Sequence, residues 1–272
     1  MSLHLGGPLL LVGAGKMGGA LLAGWLRKGL DPASVHVQDP APATEVAALM
    51  ASHGIPFRET RLPSAPAVIV LAVKPQIIDD VLPTLASAIG PSTVLLSIAA
   101  GRTLANLASH LPQGTAVVRA MPNTPASIGQ GMTVACASSE VTRDQALLCD
   151  TLLEAVGDVI WMDDESLIDA ATAVSGSGPA YVFLLAECLA EAGVEAGLDP
   201  ELAARLARAT VSGAGELLRR SDLSAAELRQ NVTSPKGVTA AALAVLMGKD
   251  GFADLLKRAV AAAAKRSREL SS

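Results

Sequence analysis

From its start to about residue 162 the chain alternates short β-branched runs with helical stretches, and several runs are apolar on both faces. A strand of that kind must be covered on both sides, which predicts a parallel sheet between two layers of helices. Strands are expected over residues 8–12, 35–38, 67–73, 93–98 and 116–121, with a weaker one over 55–57. Helices are expected over 17–28 and 43–52, in a stretch running through 89, and in a short one ending near His110. Residues 133–137 and 159–162 extend the sheet at its far end, with a helix over 142–156 between them.

After Asp164 the strand pattern stops and only helices follow. Asp199-Pro200 sets a capping residue before a first-turn proline, and Ser224 with Glu227 forms a capping box. The sequence therefore divides into an α/β domain over 1–164 and an all-helical domain over 165–272. The helical part carries more Ala, Leu and Val than a handful of helices can bury. Its surplus apolar faces predict at least a homodimer.

Half of the chain is hydrophobic and 17% is charged, which excludes disorder as its main description. The two Trp, three Phe and one Tyr are too few for a base-stacking surface. A net charge of −5 without long basic runs leaves no footprint for duplex nucleic acid. Lys265, Arg266 and Arg268 complement the dipole of a helix's last turn. The three cysteines show no metal-ligand spacing, so no metal is expected, and three buried thiols in a reducing compartment are. No apolar stretch resembles a membrane span, and the run near Leu9 is too short for a secretory signal. A cytoplasmic protein without membrane association is expected.

The first strand runs straight into Gly13-Ala14-Gly15-Lys16-Met17-Gly18 and then a helix. In that context Gly13 permits the tight turn, Gly15 lets backbone approach a pyrophosphate, and Gly18 lets helix and strand pack closely. This is the fingerprint of a Rossmann-type, doubly wound dinucleotide-binding sheet. Asp39 ends the second strand, about 20 residues past the last glycine, where a carboxylate accepts a ribose hydroxyl; Asp39-Pro40 also reads as a turn initiator. Ala72-Val73-Lys74-Pro75 and the Ala99-Ala100 turn fall at carboxyl ends of later strands, on the edge where open α/β sheets bind ligands.

Three further segments stand out. Residues 119–126 (RAMPNTPA) bracket Asn123 and Thr124 with prolines at the end of a core strand. Residues 175–181 (SGSGPAY) open a long helix, where Ser and Gly amides hold an anion or simply cap. Residues 231–239 (NVTSPKGVT) form a hydroxyl-rich turn before another helix, suited to a carboxylate.

With GAGKMG and AVKP, in this order and spacing, these segments resemble the pyrroline-5-carboxylate reductase family over essentially the whole chain. The resemblance implies NADPH- or NADH-dependent reduction of 1-pyrroline-5-carboxylate to L-proline, the last step of proline biosynthesis. It further implies a helical dimerisation domain, with dimers that commonly assemble five at a time into decamers. By motif, Ser234, Gly237, Val238 and Thr239 hold the substrate carboxylate, Thr239 also faces the ring nitrogen, and Glu165 matches a substrate-site position. Asn231 and the segment Ala72, Val73, Lys74, Pro75 touch the nicotinamide half.

Three positions depart from the family pattern. Lys236 stands where glycine is usual, Glu59 where many members have asparagine near the adenosine, and Gln38-Asp39-Pro40 replaces a sequence suited to a 2′-phosphate. The last change predicts that NADH is used well, since a carboxylate repels a phosphate dianion; the nearest downstream arginine is Arg58. His4, His36, His53 and His110 lie outside every motif, so no catalytic histidine is expected. A β-hydroxyacid dehydrogenase on the same plan would carry a lysine on the long inter-domain helix, and residues 179–196 contain none. A non-catalytic dinucleotide sensor would leave the 231–239 turn without a purpose.

Overall fold

The computed structural model describes residues 5–57 and 62–271; the expectations for Arg58 and Glu59 lie outside them. By packing, the chain forms two compact units, Ser177–Ala263 and the remainder, so that the chain leaves the first unit after Gly176 and returns to it at Ala264.

The first unit holds β1 (Leu9–Val12), α1 (Lys16–Arg27), β2 (Val35–Gln38), α2 (Thr44–Ser52), β3 (Val68–Leu71), α3 (Ile78–Leu85), β4 (Val94–Ser97), α4 (Leu104–Ser109), β5 (Ala116–Met121), β6 (Gly131–Ala137), α5 (Arg143–Glu154), β7 (Gly157–Trp161) and the short α6 (Ile168–Ala171). The seven strands lie in the order β2-β1-β3-β4-β5-β6-β7. Alternate residues feed two cores. Leu9, Leu11, Val68, Val70, Val94 and Leu96 pack with α1, α2 and α5. Their neighbours Leu10, Val12, Ile69, Leu71 and Leu95 pack with α3 and α4. The period of two, with both sets apolar, is what buries the sheet on both faces.

Two features differ from the sequence expectation. Among the described residues the weak strand at 55–57 is reduced to one parallel bridge, Val37 with Phe57 on the outer side of β2, since Pro56 has no amide to donate to a ladder. And β6 runs antiparallel to β5, with β7 parallel to β6, so the last two strands oppose the first five. The connecting segment 122–130 is too short for a parallel crossover, so the chain turns straight back.

The second unit contains α7 (Gly178–Glu195), α8 (Pro200–Arg220), α9 (Ala225–Asn231), α10 (Val238–Leu246) and the first turns of α11 (Phe252–Ser271). Its caps are those the sequence announces: Asp199 accepts from the amides of Glu201 and Leu202, and Ser224 and Glu227 cap each other reciprocally. Among its described residues only Ala203 and Ala207 are buried. Large apolar side chains stand exposed, Phe183 at 66% and Val245 at 76%. Cys188, on α7, is exposed as well, against the expectation of three buried thiols, since α7 buries no residue within the chain. By length and composition, residues 165–195 are also apolar enough to cross a membrane, with 6% of their most apolar window buried. An unpartnered helix face has that same composition.

Candidate active site

The first unit gathers its motifs at the carboxyl edge of the sheet. Gly13 has φ +96°, and a Cβ there would lie 2.7 Å from the Ala72 carbonyl oxygen and 3.0 Å from Val73 Cγ1. The glycine turn is thus pressed against the AVKP segment. A Cβ on Gly18 would run into the Gly13 carbonyl oxygen, whereas one on Gly15 would meet nothing within 4 Å. Gly15 is the N-cap of α1 and brings no side chain to its free amides. An open hollow at a helix N-terminus, walled by glycine, fits a pyrophosphate.

Asp39 closes this turn from the other side. Its Oδ2 accepts from the Ala14 amide at 2.6 Å and its Oδ1 from the Ala41 amide at 2.7 Å. The carboxylate is therefore fixed beside the glycine turn, with lone pairs left for a further donor.

The 72–75 and 99–102 segments are also joined. The Ile98 amide donates to the Leu71 carbonyl, and Ser97 Oγ accepts from the Ala99 amide. Arg102 donates to the Pro75 carbonyl at 3.2 Å and pairs with Asp79 at 2.7 Å, while His110 lies 3.2 Å from the same carboxylate. Lys74 is exposed as the cap of a 3-10 turn that begins with Pro75.

Glu165 is held tightly. Its Oε1 accepts from the Leu104 amide and from Arg119 Nη1, both at 2.8 Å. Arg119 is 5% exposed in the middle of β5, and Asp169 Oδ1 lies 3.8 Å from its Nη2. Opposite Arg119 across the β5–β6 ladder, burial and then the Glu165 charge push the Cys136 thiol up. Sequence reasoning did not single out Arg119 or Asp169. A lone arginine within AVVRAM was the available sign, because a charge in a core strand demands a partner.

Asn123, by contrast, was noticed and now has a task. Its Nδ2 donates to the Ser175 carbonyl and its Oδ1 accepts from the Met132 amide, both at 2.9 Å. Ser175 belongs to a π-helical turn, Thr172–Gly176, that leads into α7. Ser177 itself has helical dihedrals and makes no side-chain cap. The SGSG segment thus opens α7 at Gly178, as the sequence suggests, but without a side-chain cap from Ser177.

In the second unit the 231–239 turn brings its expected residues together. Asn231 ends α9, the Gly237 amide donates to the Ser234 carbonyl at 3.0 Å, and Gly237 caps α10 without a side chain. Val238 is 91% exposed and Thr239 half-buried in the first turn of α10. Lys236 has φ +59°, a left-handed conformation that explains why glycine is usual there.

Residues 165–270 match the pyrroline-5-carboxylate reductase dimerisation family, and residues 9–101 match the family of coenzyme F420-dependent NADP oxidoreductases. The pyrroline-5-carboxylate reductase of Pseudomonas aeruginosa is 41% identical over 97% of this chain and 96% of its own. This chain belongs to the pyrroline-5-carboxylate reductase family. A pyrroline-5-carboxylate reductase structure from Coxiella burnetii superposes with a TM-score of 0.90 at 34% identity, covering 98% of this chain and 99% of that one. The Plasmodium falciparum reductase with NADP bound gives 0.81 at 30% identity, covering 97% and 98%. For a pyrroline-5-carboxylate reductase, both compact units carry motif residues: those at strand ends in the first, those around α10 in the second.

Proposed function

We propose that this chain reduces 1-pyrroline-5-carboxylate to L-proline with NADPH or NADH, the last step of proline biosynthesis. The observation that carries the reading is that the likeness to proline-forming reductases runs through both units, at 41% identity over 97% of the chain.

Bound dinucleotide supplies hydride to the imine carbon. The chain's own residues do the holding. Backbone of Gly13, Ala14, Gly15, Lys16, Met17 and Gly18 takes the pyrophosphate, and Asp39 accepts from the ribose. Ala72, Val73, Lys74, Pro75 and Asn231 line the nicotinamide half, and Ala99 and Ala100 contact the cofactor from the neighbouring strand end. Ser234, Gly237 and Val238 present hydroxyl and amide donors to the substrate carboxylate at the open start of α10. The Thr239 hydroxyl is the hydrogen-bond partner of the ring nitrogen, accepting from its N–H when the imine is protonated, and Glu165, fixed by Arg119, faces the substrate. A protonated imine is already electrophilic, so positioning hydride donor and acceptor at roughly 3–3.5 Å supplies most of the acceleration.

The same proposal places the enzyme in the cytoplasm as a homodimer, with five dimers in a decamer. Three free cysteines fit a reducing compartment, and the exposed apolar faces of α7 and α10 fit association of copies rather than a membrane. A net charge of −5 gives no attraction for nucleic acid. Incubation of the purified protein with 1-pyrroline-5-carboxylate and each reduced dinucleotide, with L-proline measured as product, tests the activity. Oxidation of neither cofactor and absence of proline would refute it.

A further inference from the structure

The end of the chain lies against the turn that is expected to meet the cofactor. Residues 264–271 belong to the first unit, where Ala264 is buried. Ser267 Oγ donates to Asp169 Oδ1 at 2.6 Å. Asp169 in turn stands beside Arg119, which holds Glu165, and Glu165 accepts from the Leu104 amide. One turn further, Leu270 reaches Gly101. A Cβ on Gly101 would lie 3.0 Å from the Leu270 carbonyl oxygen and 3.3 Å from its Cβ, and Gly101 has φ +70°. The segment 99–104 is therefore fixed at its far end by Glu165, at Arg102 by the Pro75 carbonyl, and at Gly101 by the backbone of the last helical turn.

We propose that residues 267–270 are a positioning element for the Ala99-Ala100 turn, so that the last turn of α11 tunes affinity for the dinucleotide. The inference rests on the reading that Ala99 and Ala100 contact the cofactor. Neither Ser267 nor Leu270 contacts the reacting atoms. They act by holding a turn whose amide positions decide how well the cofactor fits. Loss of one hydrogen bond in such a chain relaxes the turn, and the change falls on cofactor binding before it falls on turnover.

The test uses the full-length protein and cofactor fluorescence to measure dinucleotide affinity without substrate. Ser267→Ala should weaken binding roughly three- to tenfold, the range of one net hydrogen bond. Cofactor KM should rise in step, with kcat and the KM for the imine within about twofold of wild type, and Ser267→Thr, which keeps the hydroxyl, should restore affinity. Ending the chain at Arg268 removes Leu270 and should weaken binding at least as much. Unaltered affinity in both Ser267→Ala and the shortened chain would overturn the proposal, as would a loss that Ser267→Thr fails to reverse. Failure of the enzymatic reading shows separately, as a wild-type protein that binds dinucleotide but makes no proline.

Discussion

The two units are both rich in Leu, Val and Ala and differ in where those side chains go. In the first, Leu9, Leu11, Val70, Leu96 and Trp25 are fully buried, and the sheet is closed by its own helices. In the second, neither the long α7 nor the short α10 contains a buried residue, and Phe183, Leu184, Val245 and Met247 are exposed. Hydrophobicity alone does not make a core. The first unit builds its core within one chain, whereas the second, which matches a dimerisation family, leaves its large apolar side chains exposed.

A charge on the helical face separates the two kinds of stability most strongly. Phe183→Asp should raise the dimer dissociation constant at least a hundredfold, since a two-fold contact loses about 1.5–3 kcal/mol in each copy. Sedimentation across a dilution series checks it, and activity should fall with the dimer. Trp25→Ala is the opposite case, because it removes a fully buried ring whose Nε1 donates to the Leu152 carbonyl. It should cost about 3–5 kcal/mol, read as lost sheet stability that concentration does not repair. If Phe183→Asp left a stable dimer, the contrast between the units would be broken.

Chemistry sharpens the same comparison. Thr239→Val keeps the shape of α10 and removes one hydrogen-bonding hydroxyl. It should lower kcat/KM about tenfold, the low side for a central hydrogen bond because the imine arrives protonated. Unaltered kcat/KM would remove Thr239 from the mechanism. In the first unit, Asp39→Ser should change cofactor choice rather than turnover, moving the NADPH:NADH ratio of kcat/KM about tenfold towards NADPH. A wild-type preference for NADPH of a hundredfold would mean that Asp39 serves only the Ala14 and Ala41 amides. The smallest effect is expected at Lys236. Replacing it by glycine relieves a left-handed backbone worth about 1 kcal/mol, seen as a higher melting temperature. It should also raise the imine KM slightly at low salt, with the difference vanishing as ionic strength rises.

The sheet was legible because two-faced apolar runs admit few structures, and GAGKMG was legible because glycine is required where Gly13 takes φ +96°. The 231–239 turn was legible through the family resemblance more than through chemistry. Long-range partners were not legible. Arg119 and Glu165, Asp169 and Ser267, and Gly101 and Leu270 are far apart in the chain, and no local periodicity ties one to the other. The direction of β6 escaped for a related reason, since residue pattern reports which faces are buried and not which way a strand runs. SGSG was legible as a helix start because glycine and serine mark helix ends, whereas the π-helical turn at Thr172–Gly176 just before it left no sign in the residue pattern.

With only Ala203 and Ala207 buried among its described residues, the helical unit leaves much of its apolar surface to be covered on association. Refolding of this chain should therefore contain a second-order phase that slows on dilution, following a faster, concentration-independent closing of the sheet. Subunits made side by side in a cell are matched by their helical faces and not by their sheets. A chain with a ruined glycine turn would enter mixed dimers as readily as an intact one, whereas a chain with a spoiled helical face would exclude itself. Inherited defects in the two units would then differ in dominance as well as in severity.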